Sequence, residues 1–433
     1  MQLKIVLTLV GLIICASSLV AQDTIRVVHY NLLNYGTNIS GCTSSNNNID
    51  QKDQWLSLIV NYTRPDIFTV NELGIGPSSN PSVNASRLLN QVFNSSGRNQ
   101  FSAAEFTNIR GSNIVNMLFF NHNKFSLHSQ DVVTSITRDI NLYRLYYNDW
   151  PRLAAGDTIF LTALVAHFKA GSTATDLSRR ANEASAVMEY LDSRNISGNV
   201  MFLADFNMKS AYEQAFQTLT QYHEAIYRFH DPVNVPGDWF NNPQVARYHT
   251  QSTRTVFHDC FISGGLDDRF DMILFSRSLL MGDQGLRYVN DSYKVTGQDG
   301  IRLNESLIYP VNNSAPATVI NALFNMSDHL PVGIQLVTHQ LPYTNGTPSG
   351  EVVRILFNNP VKNTLNLQFF GITGLTDVSI YSVSGTLVFS AQPYQVHDGF
   401  NLQINLSNLK PGIYIIRVGS LEKLPINKMM IKI

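Results

Sequence analysis

Val200-Met-Phe-Leu-Ala-Asp-Phe-Asn207 decides the fold. Five apolar residues run into Asp205 and Asn207, the pattern of a buried strand that ends at a polar crevice. The same arrangement recurs along the chain. Asn31 closes the apolar run 25–30, Glu72 follows 66–70, and His167 lies inside Leu164-Val-Ala-His-Phe168. Asp271 opens the run Met272-Ile-Leu-Phe275, and Asp328-His329 precedes Leu330-Pro-Val-Gly-Ile334. A layered sheet gathers strand ends into one crevice, so these scattered residues are expected to share a site. Leu177, Ala181, Ala184, Met188 and Leu191 recur every three or four residues and predict a helix that Thr175 or Asp176 can cap. Trp55, Leu58 and Ile59 predict another, after a polar loop over 31–53. Further strands are expected at 116–120, 159–168 and 331–337. Strands alternating with helices predict an α/β layered domain.

The 433 residues, 44% hydrophobic and 15% charged, suit one large α/β domain followed by a small β domain. Residues 23–337 carry 23 Lys+Arg against 28 Asp+Glu, and residues 338–433 carry 7 against 4. This balance argues against a protein that holds polyanions by bulk attraction, although it leaves room for a local basic groove. At the N-terminus, Lys4 precedes an apolar run over 5–16, with Ser17, Ser18 and a cleavage point after Ala21. Residues 1–22 therefore read as a secretory signal sequence, too short in its apolar core for a membrane span. The bulky Ile14 before Cys15 argues against a lipid anchor. Cleavage leaves Cys42 and Cys260, which can pair in an oxidising compartment but have no metal-site spacing.

Composition changes at Thr338. Residues 338–350, ending Tyr343-Thr-Asn-Gly-Thr-Pro-Ser-Gly350, read as a linker. Residues 351–433 then carry seven short apolar runs separated by Gly, Asn, Pro and Ser turns, the pattern of a small Ig-like β-sandwich. No catalytic constellation falls there.

Taken singly, each polar strand-end residue has a structural explanation as a cap, a buried ion-pair partner or a core histidine. Their order and repeated placement carry the chemical reading. A hard divalent cation needs oxygen ligands, which Asn31, Glu72 and Asp328 can supply while leaving room for water and phosphate. Such an ion neutralises phosphate and stabilises charge on a leaving oxygen. Asp205 can orient and deprotonate the attacking water, and Asn207 can donate to a phosphate oxygen. His167 and His329 can face the developing oxyanion, with Asp271 behind His329 to fix its tautomer.

These residues resemble the endonuclease/exonuclease/phosphatase superfamily, which includes pancreatic deoxyribonuclease, exonuclease III-like repair enzymes and neutral sphingomyelinases. The likeness covers about residues 24–337. It rests on Ile25-Arg-Val-Val-His-Tyr-Asn31, Asp66-Ile-Phe-Thr-Val-Asn-Glu72, Leu203-Ala-Asp-Phe-Asn207, Phe270-Asp-Met-Ile273 and Ser327-Asp-His329. It implies a four-layer α/β sandwich, two packed β-sheets flanked by helices. It also implies that Asn31, Glu72 and Asp328 serve a metal (Mg²⁺, with Mn²⁺ or Ca²⁺ as alternatives) and that Asp205 activates water. Asn207 and His329 would hold phosphate, with Asp271 supporting His329 and His167 as the second histidine. Ala204 replaces a common Gly, and Asn71 a common Gln. The glutamate that would back His167 is missing, with Asn113 and Ile114 near its place. Arg110, in the same segment, is a candidate phosphate contact. The C-terminal region is similar to the type A sorting domain of the type IX secretion system, through Asn359-Pro360, Val378-Ser-Ile-Tyr381, Pro411-Gly-Ile-Tyr414 and Lys428-Met-Met-Ile431.

Together these readings predict a secreted, metal-dependent phosphodiesterase at the cell surface or beyond it. The expected partners are DNA or RNA as substrate and the type IX machinery for export, with no stable protein partner. Arg26, Arg110, Arg179 and Arg180 are the arginines available for phosphate. A sphingomyelin or phospholipid phosphodiesterase is the main alternative, marked by an exposed aromatic loop at the rim, for which Trp239 and Phe240 are the candidates. A phosphomonoesterase and a noncatalytic surface binder complete the alternatives.

Overall fold

Between Ile25 and Tyr35 only Arg26 escapes burial, because the strand they form is covered on both faces. The computed structural model describes residues 22–338, 354–391, 393–420 and 423–433. The expected signal and linker, apart from residues 22 and 338, lie outside these.

Strands are numbered in chain order. The first sheet contains β1 (Thr24–Tyr35), β2 (Ile67–Gly74), β3 (Phe101–Ala103), β4 (Ile114–Asn121), β11 (Leu286–Tyr288), β12 (Lys294–Val295) and β13 (Val332–Thr338). Its order is β11-β13-β1-β2-β4-β3, with β12 beside β13. The second contains β5 (Phe125–Thr134), β6 (Ile140–Tyr147), β7 (Phe160–His167), β8 (Val200–Asp205), β9 (Phe229–His230) and β10 (Asp271–Ser276), in the order β5-β6-β7-β8-β10-β9. Each sheet has one parallel pair, β1/β2 and β7/β8, among antiparallel neighbours. β1 and β2 lie against β7, β8 and β10, so the sheets pack face to face over one continuous apolar core. Helices 49–63 and 317–326 pack together on the outside of the first sheet. Helix 174–193 and helix 214–220 cover the second. The result is the four-layer α/β sandwich.

The helices correct two details. Helix Ile49–Thr63 starts from an Asn48 cap and buries Leu56, Ile59 and Val60, whereas Leu58 is exposed and Trp55 only half-buried. The expected loop is correspondingly shorter at both ends, because β1 runs on to Tyr35. Helix Ala174–Ser193 is capped by Thr173, which forms a capping box with Asp176, and it buries Ala184, Val187, Met188 and Leu191 while leaving Leu177 exposed.

In the C-terminal domain, β14 (Arg354–Phe357), β15 (Thr364–Phe370) and β19 (Asn401–Asn405) form one sheet. β16 (Gly374–Ser382), β17 (Leu387–Ser390), β18 (Tyr394–Val396), β20 (Gly412–Ser420) and β21 (Lys423–Lys432) form the other. Leu365, Leu367 and Phe369 belong with Val378, Ile380 and Ile416 to a separate core, giving the expected β-sandwich. The domain meets the larger one through Arg277–Asp398 (3.1 Å), Arg354 to Asn290 Oδ1 (2.7 Å) and the rings of His230 and Phe370 (centroids 4.8 Å apart). These contacts sit beyond the Ser276 end of β10. Asp271 lies at its opposite end.

Candidate active site

Strand register brings the polar ends together. Asn31 pairs with Asn71 across β1/β2, His167 with Asp205 across β7/β8, and Asp271 with Asp205 across β10/β8. Glu72 sits in a bulge of β2, at φ +56°, where the register with β4 shifts between Val70 and Leu73. A left-handed backbone is unfavourable for a residue with a Cβ, by about 1–2 kcal/mol, and here the hydrogen bonds around Glu72 oppose that strain. Its carboxylate accepts from Asn31 Nδ2 (3.0 Å) and from the backbone N–H of Asn34 (3.0 Å).

A cleft of about 640 Å³ opens over these strand ends. Asp205 is its hub. One oxygen accepts from Asn207 Nδ2 (2.8 Å) and Asn207 N (3.1 Å). The other receives Asn31 Nδ2 (3.0 Å) and faces His167 Nε2 at 3.4 Å and His329 Nε2 at 3.9 Å. His329 Nδ1 is 2.7 Å from Asp271 Oδ2, and its backbone N–H donates to Ser327 Oγ (3.1 Å). Asp328 Oδ2 accepts from the backbone N–H of Ile262 (3.1 Å), whereas its buried Oδ1 has no hydrogen-bond partner. Eight of the nine residues singled out from the sequence therefore converge. Arg110 does not line the cleft: it is exposed, with its backbone N–H held by Asp139.

Two residues are engaged differently from their expected roles. Asn31 turns its nitrogen to Glu72 and Asp205, and its oxygen accepts from Leu33 N (3.0 Å), so it ties the two carboxylates together. The Asn207 nitrogen is held by Asp205 and the Phe168 carbonyl. Sequence reasoning also missed cleft residues. Arg138 donates to the His167 carbonyl (3.1 Å), and Lys209 and Gln251 line the cleft as well. Lys209, two positions past Asn207, had a positional signal. Arg138 and Gln251 lie in irregular segments with none. Arg180, expected as a phosphate contact, is buried against Glu213 (2.7 Å).

The electrostatics separate the two histidines. Burial holds His167 well below the usual histidine range, with Arg138 and His329 acting the same way. Its closeness to Asp205 (3.4 Å) and Glu72 (3.9 Å) would favour the charged ring, but burial beside those cations outweighs this and keeps it neutral. Its Nδ1 has no hydrogen-bond partner, as expected for a histidine lacking its glutamate. For His329 burial opposes charge, yet Asp271, Asp205 and Asp328 together raise it well above the usual value. As an imidazolium it needs an acceptor at Nε2, where the Gln251 amide nitrogen lies at 2.7 Å, so the amide must turn over to present its oxygen, giving up its donation to Asp328 Oδ2 (3.4 Å). Burial pushes Asp205 up to about 7 against the pull of His329. Asp328 is also raised, by burial and by Glu72. Lys52, buried behind the site with Nζ on the carbonyls of Leu32 (2.7 Å) and Leu33 (2.6 Å), is lowered by burial to about 7.

Crowded carboxylates and an orphaned buried oxygen suit a cation. Ligand atoms of Glu72, His167 and Asp205 lie within 4.8 Å of one another, as do those of Asp205, Asp271 and His329. Opposite the strand ends, Cys42 and Cys260 form a disulfide that joins the turn after β1 to the loop carrying Ile262.

No curated protein matches the chain. Among solved structures it is similar to TDP2 of D. rerio in complex with a single-strand DNA product, at 11% identity and TM-score 0.44 over 72% of this chain and 99% of the other. An endonuclease/exonuclease/phosphatase from Bacteroides vulgatus aligns at 12% identity and TM-score 0.46, over 73% of this chain and 100% of the other. A family member from Bacteroides thetaiotaomicron aligns at 14% and 0.44, over 76% and 99%. At the other end of the chain, residues 356–432 match the model of the secretion system C-terminal sorting domain, which identifies the small β-sandwich as a sorting domain for export.

Proposed function

We propose that the chain is an exported, divalent-cation-dependent phosphodiesterase, and that its substrate is DNA or RNA. The observation that carries this is the meeting of Glu72, Asp205, Asp328 and the Asp271–His329 pair at one cleft, from strands of both sheets. Glu72 and Asp328, with Asn31 beside them, would hold the cation, Mg²⁺ first and Mn²⁺ or Ca²⁺ as alternatives. Bound there, it would offset phosphate charge and the charge developing on the leaving oxygen.

The residues of the chain divide the rest. Asp205, oriented by Asn207 and Asn31, takes the proton of the attacking water. The cationic His329, held by Asp271, lies against the phosphoryl oxygens, and the neutral His167 stands on the other side of Asp205. Arg138 and Lys209 add positive charge to a cleft otherwise rich in carboxylates. The sorting domain supports export through the type IX machinery, to the cell surface or the medium.

A second reading, a phospholipid or sphingomyelin phosphodiesterase, is favoured by one observation. Val256, Phe257 and Ile262 are 74%, 67% and 53% exposed on the loop that reaches the cleft at Ile262. Of the two aromatic residues expected at such a rim, Trp239 is instead fully buried, and Phe240 is exposed. The test is hydrolysis by residues 23–337 of single- and double-stranded DNA, RNA and sphingomyelin vesicles, with and without chelator. Chelator-sensitive cleavage of nucleic acid is the expected result. Cleavage of sphingomyelin alone would transfer the assignment to the lipid reading.

A further inference from the structure

Beside the catalytic residues, the cleft has a rim whose only part in the proposed chemistry is the positive charge of Lys209. Lys209, Asp268 and Phe270 line it. Lys209 Nζ stands 3.8 Å from the centroid of the Phe240 ring and 5.9 Å from that of Phe270. Phe240 is 45% exposed, with Lys209 against it. Asp268 is 9% exposed, and its Oδ1 has no hydrogen-bond partner, Lys209 Nζ being 3.6 Å away. Burial pushes its carboxyl up to about 7. Asp268 Oδ1 has only this long ion pair with Lys209, so a ligand donor at the mouth of the cleft can complete its hydrogen bonding.

The rim is built rather than incidental. Trp239 N and Phe240 N both donate to the Lys209 carbonyl (2.8 and 3.2 Å), and Asn241 N donates to the Asp267 carbonyl (2.8 Å). Trp239 anchors the segment in the core, with its indole N–H on the Val235 carbonyl and its own carbonyl on His249 Nε2. Phe240 is thus presented by a fixed backbone, which lowers the ordering cost of binding.

The geometry points to Lys209, Phe240 and Asp268 as a nucleoside subsite. In it the Phe240 ring stacks on an unpaired base next to the cleaved phosphodiester, Asp268 bonds an amino, ring N–H or hydroxyl group, and Lys209 faces a neighbouring phosphate. The inference rests on the phosphodiesterase reading and narrows its substrate to nucleic acid with an unpaired base at the site. A choline headgroup fits less well. The Lys209 ammonium lies over one face of Phe240, and like charge repels a quaternary ammonium beside it, whereas a neutral planar base stacking on the uncovered side of the ring meets no such penalty.

The test is a two-by-two comparison. Wild-type protein and Phe240→Ala act on single-stranded oligonucleotides with one scissile site, either intact or lacking the base on one side of it. Removing the base is expected to raise the wild-type KM by about 5- to 150-fold, the range for one base–aromatic stack. Phe240→Ala should raise KM on the intact strand by the same factor and cause no further loss on the abasic strand. Phe240→Trp should retain wild-type discrimination. If base removal and Phe240→Ala multiply independently, or neither changes KM, the subsite is wrong while the nuclease reading stands. If wild-type protein cleaves sphingomyelin vesicles and no oligonucleotide, both are overturned.

Discussion

The side-chain oxygen of Asn71 accepts a 3.0 Å hydrogen bond from the backbone N–H of Asp205, joining the two sheets at the floor of the cleft. Asn71 precedes Glu72 and Asp205 ends β8, so this bond fixes one carboxylate relative to the other. The Asn71 nitrogen continues to Asn116 Oδ1 (2.7 Å), and Asn116 in turn reaches the Asp139 carbonyl (2.7 Å). Asn71→Leu would leave the Asp205 N–H and the Asn116 oxygen buried and unpaired, at about 1–3 kcal/mol each. We expect a lower urea midpoint and reduced kcat in the folded variant. Unchanged kcat would mean that Asp205 is held by its own strand alone.

With circular dichroism unchanged, Asp205→Asn should lower kcat by about 10²–10⁴-fold, the range for removing a general base, and His329→Ala by about 10²–10³-fold, the range for removing one donor to a developing oxyanion. Asp271→Asn acts through His329. Burial works against a charged His329 ring, and the Asp271 carboxylate does most to overcome it, so neutralising Asp271 lowers the His329 pKa. The imidazolium then persists over a narrower range, and the alkaline limb of the kcat–pH profile moves to lower pH. An unmoved limb would assign it to another group.

The cleft residues were legible in the sequence because each sits where an apolar run meets a polar residue, and β-strand register converts that pattern into proximity. Asp271 behind His329 followed from the same signal, whereas the two packed sheets were implied only by the family resemblance, the pattern itself giving no more than an α/β layered domain. Arg138 was not legible, since its place depends on the irregular turn between β5 and β6. β5 itself gave no clear apolar alternation, because much of it is half-buried or exposed at the sheet edge. Helix 49–63 shows another limit. Its inward face includes Lys52 and Asp53, so the apolar pattern pointed to Trp55 and Leu58 instead. Those two charges are tolerated inside because Lys52 meets backbone carbonyls and Asp53 meets Arg87 and Tyr35.

Adding a divalent cation to chelator-treated protein should raise the thermal midpoint, because a ligand that binds only the folded state stabilises it by mass action. At a cation concentration 100-fold above Kd the gain is about 2.7 kcal/mol. Glu72→Gln and Asp328→Asn should lose this response. Asp328→Asn should also raise the midpoint without cation, because a neutral group replaces a buried carboxylate beside Glu72. A cation response that survives in both variants would place the ion elsewhere.

The disulfide between Cys42 and Cys260 closes a span of 218 residues. Each half also touches the backing of a carboxylate. Asn34, whose backbone holds Glu72, lies 3.5 Å from Cys42 Sγ, and Ile262, two residues past Cys260, holds Asp328. Cys42→Ser with Cys260→Ser should lose about 2–5 kcal/mol of stability and need more cation for half-maximal activity. Loss of stability with an unchanged cation requirement would limit the bond to a structural role.

Removing residues 339–433 should leave kcat unchanged, because the sorting domain packs beyond the Ser276 end of β10 and the cleft lies at its Asp271 end. The cut should nevertheless be visible at His230. Burial, to which Phe370 contributes, lowers His230 from 6.5 to about 4 against the pull of Asp398, and Arg277 adds to the depression. A histidine depressed in the folded state contributes stability that is present above the unfolded pKa and lost as pH falls toward the folded one. In the full chain that loss runs from about pH 6.5 down to 4, and at 1.36 kcal/mol per unit it amounts to no more than about 3–4 kcal/mol. Truncation uncovers the ring but also removes Asp398, which favours the charged ring; burial is the larger influence, so the pKa should rise and this part of the acid sensitivity should shrink. The His230 ring-proton shift, followed against pH in both forms, reads this directly. An unchanged titration would mean that the catalytic domain buries His230 by itself.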